Sequence, residues 1–288
     1  MQNSKTTFLS LTDNLYSTNE CGILWRRSVA AICNLPLEKC YFIDDSDLSD
    51  RQKEQLKSVA ERLACGEPLE YILGFAEFCS LRFNVNKSVL IPRLETQEMV
   101  DFIGRNRDRE KAWRILDIGT GSGCIGVTLA KLFPNSKVTA IDISSDALEC
   151  AKSNAALHGA CNVDFILCDF INGSDTIKGC FDIIVSNPPY VRPTERNTMP
   201  KRVIDFEPHT ALFVPENDPL LFYRHIAMFA KSHLTADGMV MVEINQYLGN
   251  QTLEVFKSLD FDCELKKDTF FENRFVYACN KNFYFVNL

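Results

Sequence analysis

Apolar residues recur with a helical period in the first part of the chain. Over residues 8–35 and 48–65 they are spaced three and four positions apart, which predicts amphipathic helices. Ser49 or Asp47 is a suitable cap for the second stretch, and Gly66 is a suitable stop. The first part of the chain is therefore expected to be helical.

The pattern changes after this helical part. Residues 78–93 alternate between apolar and polar around the turn-forming residues 84–87, which predicts a β-hairpin. From residue 114 onward, short apolar runs alternate with helical stretches, which predicts a doubly wound sheet of mainly parallel strands. Asp218 followed by Pro219 predicts the start of a helix. The expected strands of the sheet are residues 113–118, 137–141, 162–167, 181–186 and 238–244, with residues 261–265 and 275–279 pairing antiparallel at an edge.

The most informative motif follows the fourth of these strands. It reads Asn187-Pro188-Pro189-Tyr190 and begins directly after the apolar run 181–186. Parallel sheets deliver the residues at their strand ends into a binding crevice. The two prolines cannot continue a strand ladder and hold φ at about −65°. The carbonyl groups of Asn187 and Pro188 are therefore expected to point away from the sheet.

This motif suits a flat group that carries an NH2. The nitrogen of such a group is a poor nucleophile because its lone pair is delocalised. The side-chain oxygen of Asn187 and the carbonyl of Pro188 could accept hydrogen bonds from the two N–H groups, and Tyr190 could stack on the planar group. The nitrogen lone pair would then face a sulfonium methyl. The alternative is a proline-rich turn in which the asparagine caps and the tyrosine packs.

A glycine-rich turn follows the first strand, where glycines allow a ligand to approach the backbone. The residues expected to bind the cofactor there are Gly119, Thr120, Gly121, Ser122 and Gly123. Asp142, after the second strand, is placed to hydrogen-bond ribose hydroxyls.

The same glycine-rich turn is also compatible with a different cofactor. Gly121, Gly123 and Gly126 also have the spacing of the dinucleotide pattern, so an NAD-binding domain is a competing interpretation. Asp117 and Asp142 bring negative charge that favours the cationic sulfonium of S-adenosylmethionine over a pyrophosphate. Asp117 is expected either to orient the loop or to contact the cofactor.

Asp169 and Phe170 end the third strand. An acid followed by an aromatic residue suits adenine, with a hydrogen bond from Asp169 and ring contact from Phe170. The alternative for this pair is a turn followed by core packing.

Composition narrows the class of partner. The formal net charge is −7, which argues against a nucleic-acid backbone as the main partner. The chain has neither a long apolar run nor a signal-peptide pattern, so we expect a cytoplasmic protein without membrane contact. Its 12 cysteines form no C-x-x-C pair and its 4 histidines are scattered, so neither a metal site nor a disulfide framework is expected.

With these motifs in place, the chain resembles the HemK/PrmC family of class I methyltransferases. The likeness spans nearly the whole chain. Besides the glycine turn, Asp142 and residues 187–190, it rests on segments 66–74, 77–78, 89–93, 95–96, 206–208 and 211–212. The resemblance implies that S-adenosylmethionine methylates the side-chain nitrogen N5 of the glutamine in the Gly-Gly-Gln motif of peptide-chain release factors, leaving S-adenosylhomocysteine.

The resemblance also implies a fold: a Rossmann-like, doubly wound, mostly parallel seven-stranded sheet with a small N-terminal helical domain. We expect a helical substrate-engaging domain over residues 1–77, a linking β-hairpin over 78–93 and a methyltransferase domain over 94–288.

The site roles follow from the family. Residues 119–123, Asp142 and Phe170 would contact the cofactor, and Asp169 and Asn187 are expected beside it from their places at the strand ends. Residues 187–190 would bind the substrate, with Asn187, Pro188 and Tyr190 as the catalytic residues.

The expected partner is a release factor, without direct nucleic-acid binding, and the chain is expected to be a monomer. Two alternatives remain: an adenine-N6 or guanine-N2 nucleic-acid methyltransferase, and an NAD-dependent oxidoreductase. Leu94 and Gln97 depart from the family pattern and border the expected cofactor site. Residues 191–215 are expected to form an irregular loop at the substrate rim, and Arg93 either reaches the cofactor entry or forms a salt bridge.

Overall fold

The computed structural model describes residues 3–281, so the ends of the predicted domains at residues 1, 2 and 282–288 lie outside the described residues. The described chain divides into two compact units. The first takes in the chain up to residue 75 and residues 200–206, and the second takes in residues 76–199 and the chain from residue 207 onward.

The α-helices are α1 (Ser4–Thr12), α2 (Thr18–Cys33), α3 (Asp50–Ala64), α4 (Leu69–Leu73), α5 (Leu94–Asn106), α6 (Cys124–Leu132), α7 (Ser145–His158), α8 (Phe170–Gly173), α9 (Lys201–Phe206), α10 (His209–Leu212), α11 (Leu221–His233) and α12 (Gly249–Lys257). The strands are β1 (Phe75–Phe78), β2 (Leu81–Asn84), β3 (Arg114–Ile118), β4 (Lys137–Asp142), β5 (Val163–Leu167), β6 (Phe181–Ser186), β7 (Leu234–Glu243), β8 (Phe261–Lys267) and β9 (Asn273–Asn280).

The first unit is helical, as predicted. The rings of Phe8 and Trp25 pack edge to face in its core, with centroids 5.4 Å apart. Ser49 caps α3 by accepting from the backbone N–H of Gln52, so this predicted cap is confirmed. Gly66 follows the end of α3 with φ at +83°, a conformation that favours glycine.

The second unit contains a seven-stranded sheet in the order β5-β4-β3-β6-β7-β9-β8. The pairs from β5 to β7 are parallel, and β9 runs antiparallel to both β7 and β8. Alternate residues of each strand face opposite sides: Ile115 packs with α5 and α6, whereas Leu116 packs with α11 and α12. The predicted doubly wound sheet is therefore confirmed, and so is the antiparallel pair at its edge, where β8 is the outermost strand.

The linking hairpin lies earlier in the chain than predicted. It comprises β1 and β2, and its turn is formed by Cys79 and Ser80, with φ values of +49° and +60°. Two successive positive φ values close a two-residue turn whose twist matches that of the strands. The backbone N–H of Cys79 donates to the side-chain oxygen of Gln97 at 2.7 Å. The predicted turn at residues 84–87 is therefore wrong, and Gln97 holds the actual one.

Two further boundaries differ from the predictions. Helix α11 begins at Leu221 rather than at Pro219, because the Asp218 carboxylate pairs with the Arg224 guanidinium instead of capping the backbone. Strand β7 begins at Leu234, ahead of residue 238, and its pairing with β6 shifts register after Phe181.

Residues 191–215 are not irregular. They contain a 3-10 helix over Pro193–Thr198 and the short helices α9 and α10. Val191 forms a parallel bridge with Phe213, its N–H donates to the carbonyl of Leu212 at 2.9 Å, and its carbonyl accepts from Val214 at 3.0 Å. The segment is thus a loop whose two ends are paired at the exit from residues 187–190.

Within the described chain, no helix combines the length and the apolar character needed to cross a membrane.

Candidate active site

The predicted site residues gather where parallel strands end. In the register of the sheet, Ile118 of β3 lies beside Ser186 of β6, and Asp142 of β4 lies beside Leu167 of β5. The Ser186 hydroxyl donates to the carbonyl of Ile118 at 2.7 Å. The order β4-β3-β6-β7 makes the junction of β3 and β6 the point where the chain connections diverge, which is where open α/β sheets bind ligands.

The glycine turn presents its backbone and buries its polar side chains. Gly119 and Gly121 have positive φ values, and a Cβ at either position would meet nothing within 4 Å. Thr120 and Ser122 are only 3% and 2% exposed. A Cβ at Gly123 would lie 3.1 Å from that of Ala151, so this glycine allows α7 to approach. Any ligand at this turn would therefore meet backbone groups.

Asp117 orients the glycine turn. Its Oδ2 atom accepts from the Thr120 hydroxyl at 2.6 Å and from the backbone N–H of Gly126 at 2.9 Å. A Cβ on Gly126 would lie 2.9 Å from that same Oδ2. Burial raises the pKa of Asp117 to about 7, so the carboxyl group is only partly ionised at neutral pH. Of the two roles expected for Asp117, the structure shows the orienting one, and the negative charge expected there is reduced.

Asp117→Asn should change how stability depends on pH. Both donors use Oδ2, so the single oxygen of an asparagine can accept both. In the folded protein the pKa of Asp117 is about 7, above the ordinary value of 3.8. The contribution of Asp117 to the free energy of unfolding is therefore fully present below about pH 4 and is lost as the pH rises through 7. Relative to wild type, the free energy of unfolding of the variant should therefore rise from pH 5 to pH 8, measured by urea denaturation.

The exposed residue Asp146, in the first turn of α7, provides the control. Asp146→Asn makes the same chemical change at an exposed position and so shows what the loss of a surface carboxyl group does by itself. A constant difference between Asp117→Asn and wild type across this range would contradict the buried carboxyl group as the source.

Asp142 ends β4 and is half-buried. Its Oδ2 accepts from the N–H of Gly121 and its Oδ1 from the N–H of Ser144, both at 2.9 Å. Burial raises the pKa of Asp142. A carboxylate has about four lone-pair positions, so two acceptor positions remain for a ligand. Asp142 thus links the glycine turn to the start of α7.

Asp169 and Phe170 serve the fold in this structure. Asp169 caps the short helix α8, and its hydrogen bond from the Asn172 side chain lowers its pKa. The Phe170 ring is 5% exposed and packs edge-on against Phe229, with centroids 5.5 Å apart. The Phe170 ring thus lies in the core, and its expected contact with adenine stays a prediction. Ile143, which directly follows Asp142, is 63% exposed and offers an apolar surface instead.

Residues 187–190 lie at the end of β6 and connect to the core through polar contacts. The Asn187 Nδ2 atom donates to the Thr96 hydroxyl at 3.1 Å. The Tyr190 hydroxyl donates to Oε1 of Glu243 at 2.9 Å, and the Tyr190 carbonyl accepts from the Asn245 side chain at 3.1 Å. Pro188 is buried and Pro189 is half-buried. The tyrosine ring is thus fixed at its hydroxyl end.

Two residues of this network had no role in the sequence analysis. Thr96 is 2% exposed and Glu243 is 1% exposed, and the threonine hydroxyl donates to Oε2 of Glu243 at 2.6 Å. Glu243 ends the apolar strand β7, so a lone carboxyl group at the end of a buried strand was the available signal. Thr96 lies in a segment that carries the family resemblance.

Two other segments of the resemblance meet through an ion pair. Arg93 Nη2 lies 2.6 Å from Oε1 of Glu207, whose side chain is 1% exposed. The other carboxylate oxygen accepts from the N–H of Ile91 at 3.2 Å. The salt-bridge alternative for Arg93 is therefore the one observed. Leu94 begins α5 and is 72% exposed.

Comparisons with known proteins agree with this geometry. Residues 109–248 match the sequence model of a family described as "Methyltransferase domain". A structure titled as a methyltransferase from Pyrococcus furiosus aligns with a TM-score of 0.50 at 19% identity, covering 69% of this chain and 89% of that one, and supports the fold alone.

Relatives by sequence are more specific. A release factor glutamine methyltransferase from Flavobacterium psychrophilum is 39% identical over 280 residues, covering 96% of this chain and 98% of the relative. One from Bacteroides thetaiotaomicron is 43% identical over 240 residues, covering 83% and 85%. The predicted resemblance is confirmed: the chain is a methyltransferase and belongs to the release factor glutamine methyltransferase family.

Proposed function

We propose that this enzyme transfers a methyl group from S-adenosylmethionine to the side-chain nitrogen N5 of the glutamine in the Gly-Gly-Gln motif of peptide-chain release factors. The observation that carries the proposal is the position of Asn187, at the end of β6 beside the glycine turn that ends β3. Family membership supports a release factor as the substrate. The relatives give no support to a nucleic-acid substrate or to NAD chemistry.

The residues at the strand ends fit S-adenosylmethionine. The open backbone at Gly119 and Gly121 would receive the ligand closely. Asp142 retains acceptor positions for ribose hydroxyls, and Ile143 offers an apolar surface for adenine. Asp117 would act through the glycine turn that it orients, since its side chain is fully buried. A role for Phe170 would rest on its backbone, since its ring is buried.

Residues 187–190 would hold the substrate amide. The Asn187 side-chain oxygen and the Pro188 carbonyl accept its two N–H bonds, and the Tyr190 ring forms a wall beside the planar group. S-adenosylmethionine supplies a methyl group on a cationic sulfur, which the nitrogen lone pair can attack directly. Positioning of this kind can supply on the order of 7–11 kcal/mol of a barrier. The attack would break the bond between sulfur and the methyl group and release S-adenosylhomocysteine, and the methylated nitrogen would then lose one proton to water. No side chain has to remove a proton before the attack.

The helical first unit is the proposed contact for the remainder of the release factor. This role rests on the family resemblance. We retain the three functional parts at residues 1–77, 78–93 and 94–288 as a proposal. The hairpin between the first and the third part is the one formed by β1 and β2.

The proposed reaction is tested by mass spectrometry of a release factor after incubation with enzyme and S-adenosylmethionine. We expect one added methyl group on the glutamine of the Gly-Gly-Gln motif, and no added methyl group on a factor in which that glutamine is alanine. Equal methylation of both factors would rule out this glutamine as the target.

Two controls separate the alternatives. Unmethylated DNA and RNA should accept no methyl group from S-adenosylmethionine under the same conditions. S-adenosylhomocysteine should raise the melting temperature of the protein, whereas NADH should not.

A further inference from the structure

A buried chain of hydrogen bonds ends on the side-chain amide of Asn187. Nδ2 of Asn187 donates to the Thr96 hydroxyl at 3.1 Å, that hydroxyl donates to Oε2 of Glu243 at 2.6 Å, and Tyr190 donates to Oε1 of the same carboxylate at 2.9 Å. Thr96 and Glu243 are 2% and 1% exposed, so water does not compete freely for these bonds. This series of hydrogen bonds connects α5, β7 and the segment after β6.

The single proton of each hydroxyl determines the direction of the chain. A carboxylate only accepts hydrogen bonds, so the Thr96 proton must point toward Glu243. The threonine oxygen can then only accept from its other neighbour, Asn187. An asparagine turned by 180° would place its oxygen against the threonine oxygen, bringing two acceptors together. The amide of Asn187 is therefore held with its NH2 toward Thr96 and its oxygen on the opposite side.

The direction requires an ionised Glu243. Burial raises the pKa of Glu243 overall, and the hydrogen bonds from Thr96 and Tyr190 and the positive charge of Arg274 offset part of that rise in favour of the carboxylate. Arg274 is itself anchored by an ion pair between its Nε and Oδ2 of Asp268 at 2.9 Å. The Thr96 and Tyr190 hydroxyls each donate to one oxygen of Glu243. A protonated carboxyl group could instead donate to the Thr96 oxygen, and this would reverse the direction of the hydrogen bonds. The carboxylate is thus the fixed end of the chain.

We propose that Thr96 and Glu243 are positioning residues, which fix the Asn187 amide with its oxygen directed toward the substrate. The inference rests on the proposed function, because that oxygen needs a substrate NH2 to accept from. Neither Thr96 nor Glu243 has to touch the substrate or the methyl donor. An asparagine free to rotate would present an NH2 to the substrate NH2 in part of the population, and these molecules would be unproductive.

Substitution of Thr96 tests the positioning. Thr96→Val keeps the shape but removes the acceptor, whereas Thr96→Ser keeps the hydroxyl. We expect the valine variant to lose about tenfold in kcat, the equivalent of one buried hydrogen bond. Its KM for S-adenosylmethionine should stay unchanged, and the serine variant should retain most of the wild-type kcat. Thr96→Ala removes the same hydroxyl without placing a methyl group beside Glu243, and it replaces the valine variant if that protein does not fold.

Thr252 provides a matched control. It is 0% exposed in α12, and its hydroxyl has no hydrogen-bond partner in the part of the chain that the structure describes. Thr252→Val should therefore retain wild-type kcat. Melting temperatures of all variants separate a general loss of stability from a loss of positioning.

A second readout does not depend on turnover. In protein labelled with ¹⁵N-asparagine, the side-chain NH2 signal of Asn187 is assigned by its loss in Asn187→Ala. Its exchange with solvent should be faster in Thr96→Val than in wild type and should be slow again in Thr96→Ser. Unchanged exchange in folded Thr96→Val, or wild-type kcat in that variant, would overturn the inference.

Measuring both kcat and exchange distinguishes a failure of the positioning role from a failure of the proposed function. If wild-type enzyme methylates the release factor while Thr96→Val behaves like wild type, only the positioning role fails. If wild-type enzyme leaves the release factor unmethylated, the proposed substrate fails, and the exchange measurement alone decides whether Thr96 holds the Asn187 amide.

Discussion

Replacing Asn187 with alanine should lower kcat/KM for the release factor by about 10²–10³-fold, the usual cost of removing one fixed hydrogen-bonding group that acts on a reacting centre. The variant loses the side-chain oxygen that would accept from the substrate amide. The glycine turn and Asp142 are held by their own hydrogen bonds, none of which uses the Asn187 side chain. Affinity for S-adenosylhomocysteine, measured by calorimetry, should therefore stay near the wild-type value.

Asn135 provides the matched control for this substitution. It is exposed, and its side chain donates to the carbonyl of Glu110 at 3.0 Å. Asn135→Ala should leave both methyl transfer and affinity unchanged. Near-normal turnover by Asn187→Ala would show that its side chain does not hold the substrate amide.

Replacing Asp142 with alanine should have the second largest effect, and it should act on cofactor affinity. The carboxylate accepts from the N–H groups of Gly121 and Ser144, so its removal loosens the glycine turn as well as removing acceptors for ribose. A hydrogen bond to a charged group contributes about 1.5–3 kcal/mol, which corresponds to roughly 10- to 100-fold in Kd. Calorimetry with S-adenosylhomocysteine measures this loss.

Asp146 separates this local effect from the loss of a negative charge. It lies in the first turn of α7 and is exposed. Asp146→Ala removes the same charge close by in sequence and should change the Kd little. Equal weakening by both substitutions would mean that net charge, rather than the Asp142 hydrogen bonds, determines cofactor affinity.

The sheet could be predicted because its signals are local. Apolar runs such as residues 181–186 were long enough to identify strands, and their alternation with helices implies parallel pairing. The hairpin turn was misplaced because residues with positive φ are usually glycine, asparagine or aspartate, whereas here they are Cys79 and Ser80. The predicted start of α11 is wrong because Asp218 pairs with the Arg224 side chain instead of capping the helix.

The candidate site divides in the same way. Asn187 and Asp142 follow buried strands, so their position at one edge of the sheet follows from the strand pattern. Thr96 and Glu243 are separated by 147 residues, and nothing local indicates that they meet. For Phe170, the sequence does not decide between two roles, because an aromatic residue after a strand can contact a ligand or pack in the core. Only the burial of the ring in the structure distinguishes these roles.

The paired ends of the loop after Tyr190 have a consequence for how this enzyme family can diversify. The bridge between Val191 and Phe213 closes the loop close to the residues that would grip the amide. Extending a loop whose ends are already joined costs little free energy, since closure entropy grows only slowly with length. Residues 200–206 belong to the first unit and Glu207 pairs with Arg93, so they are fixed, whereas the exposed residues 196–198 can accept insertions while the base stays in register. Recognition of different protein targets can thus evolve separately from the chemistry.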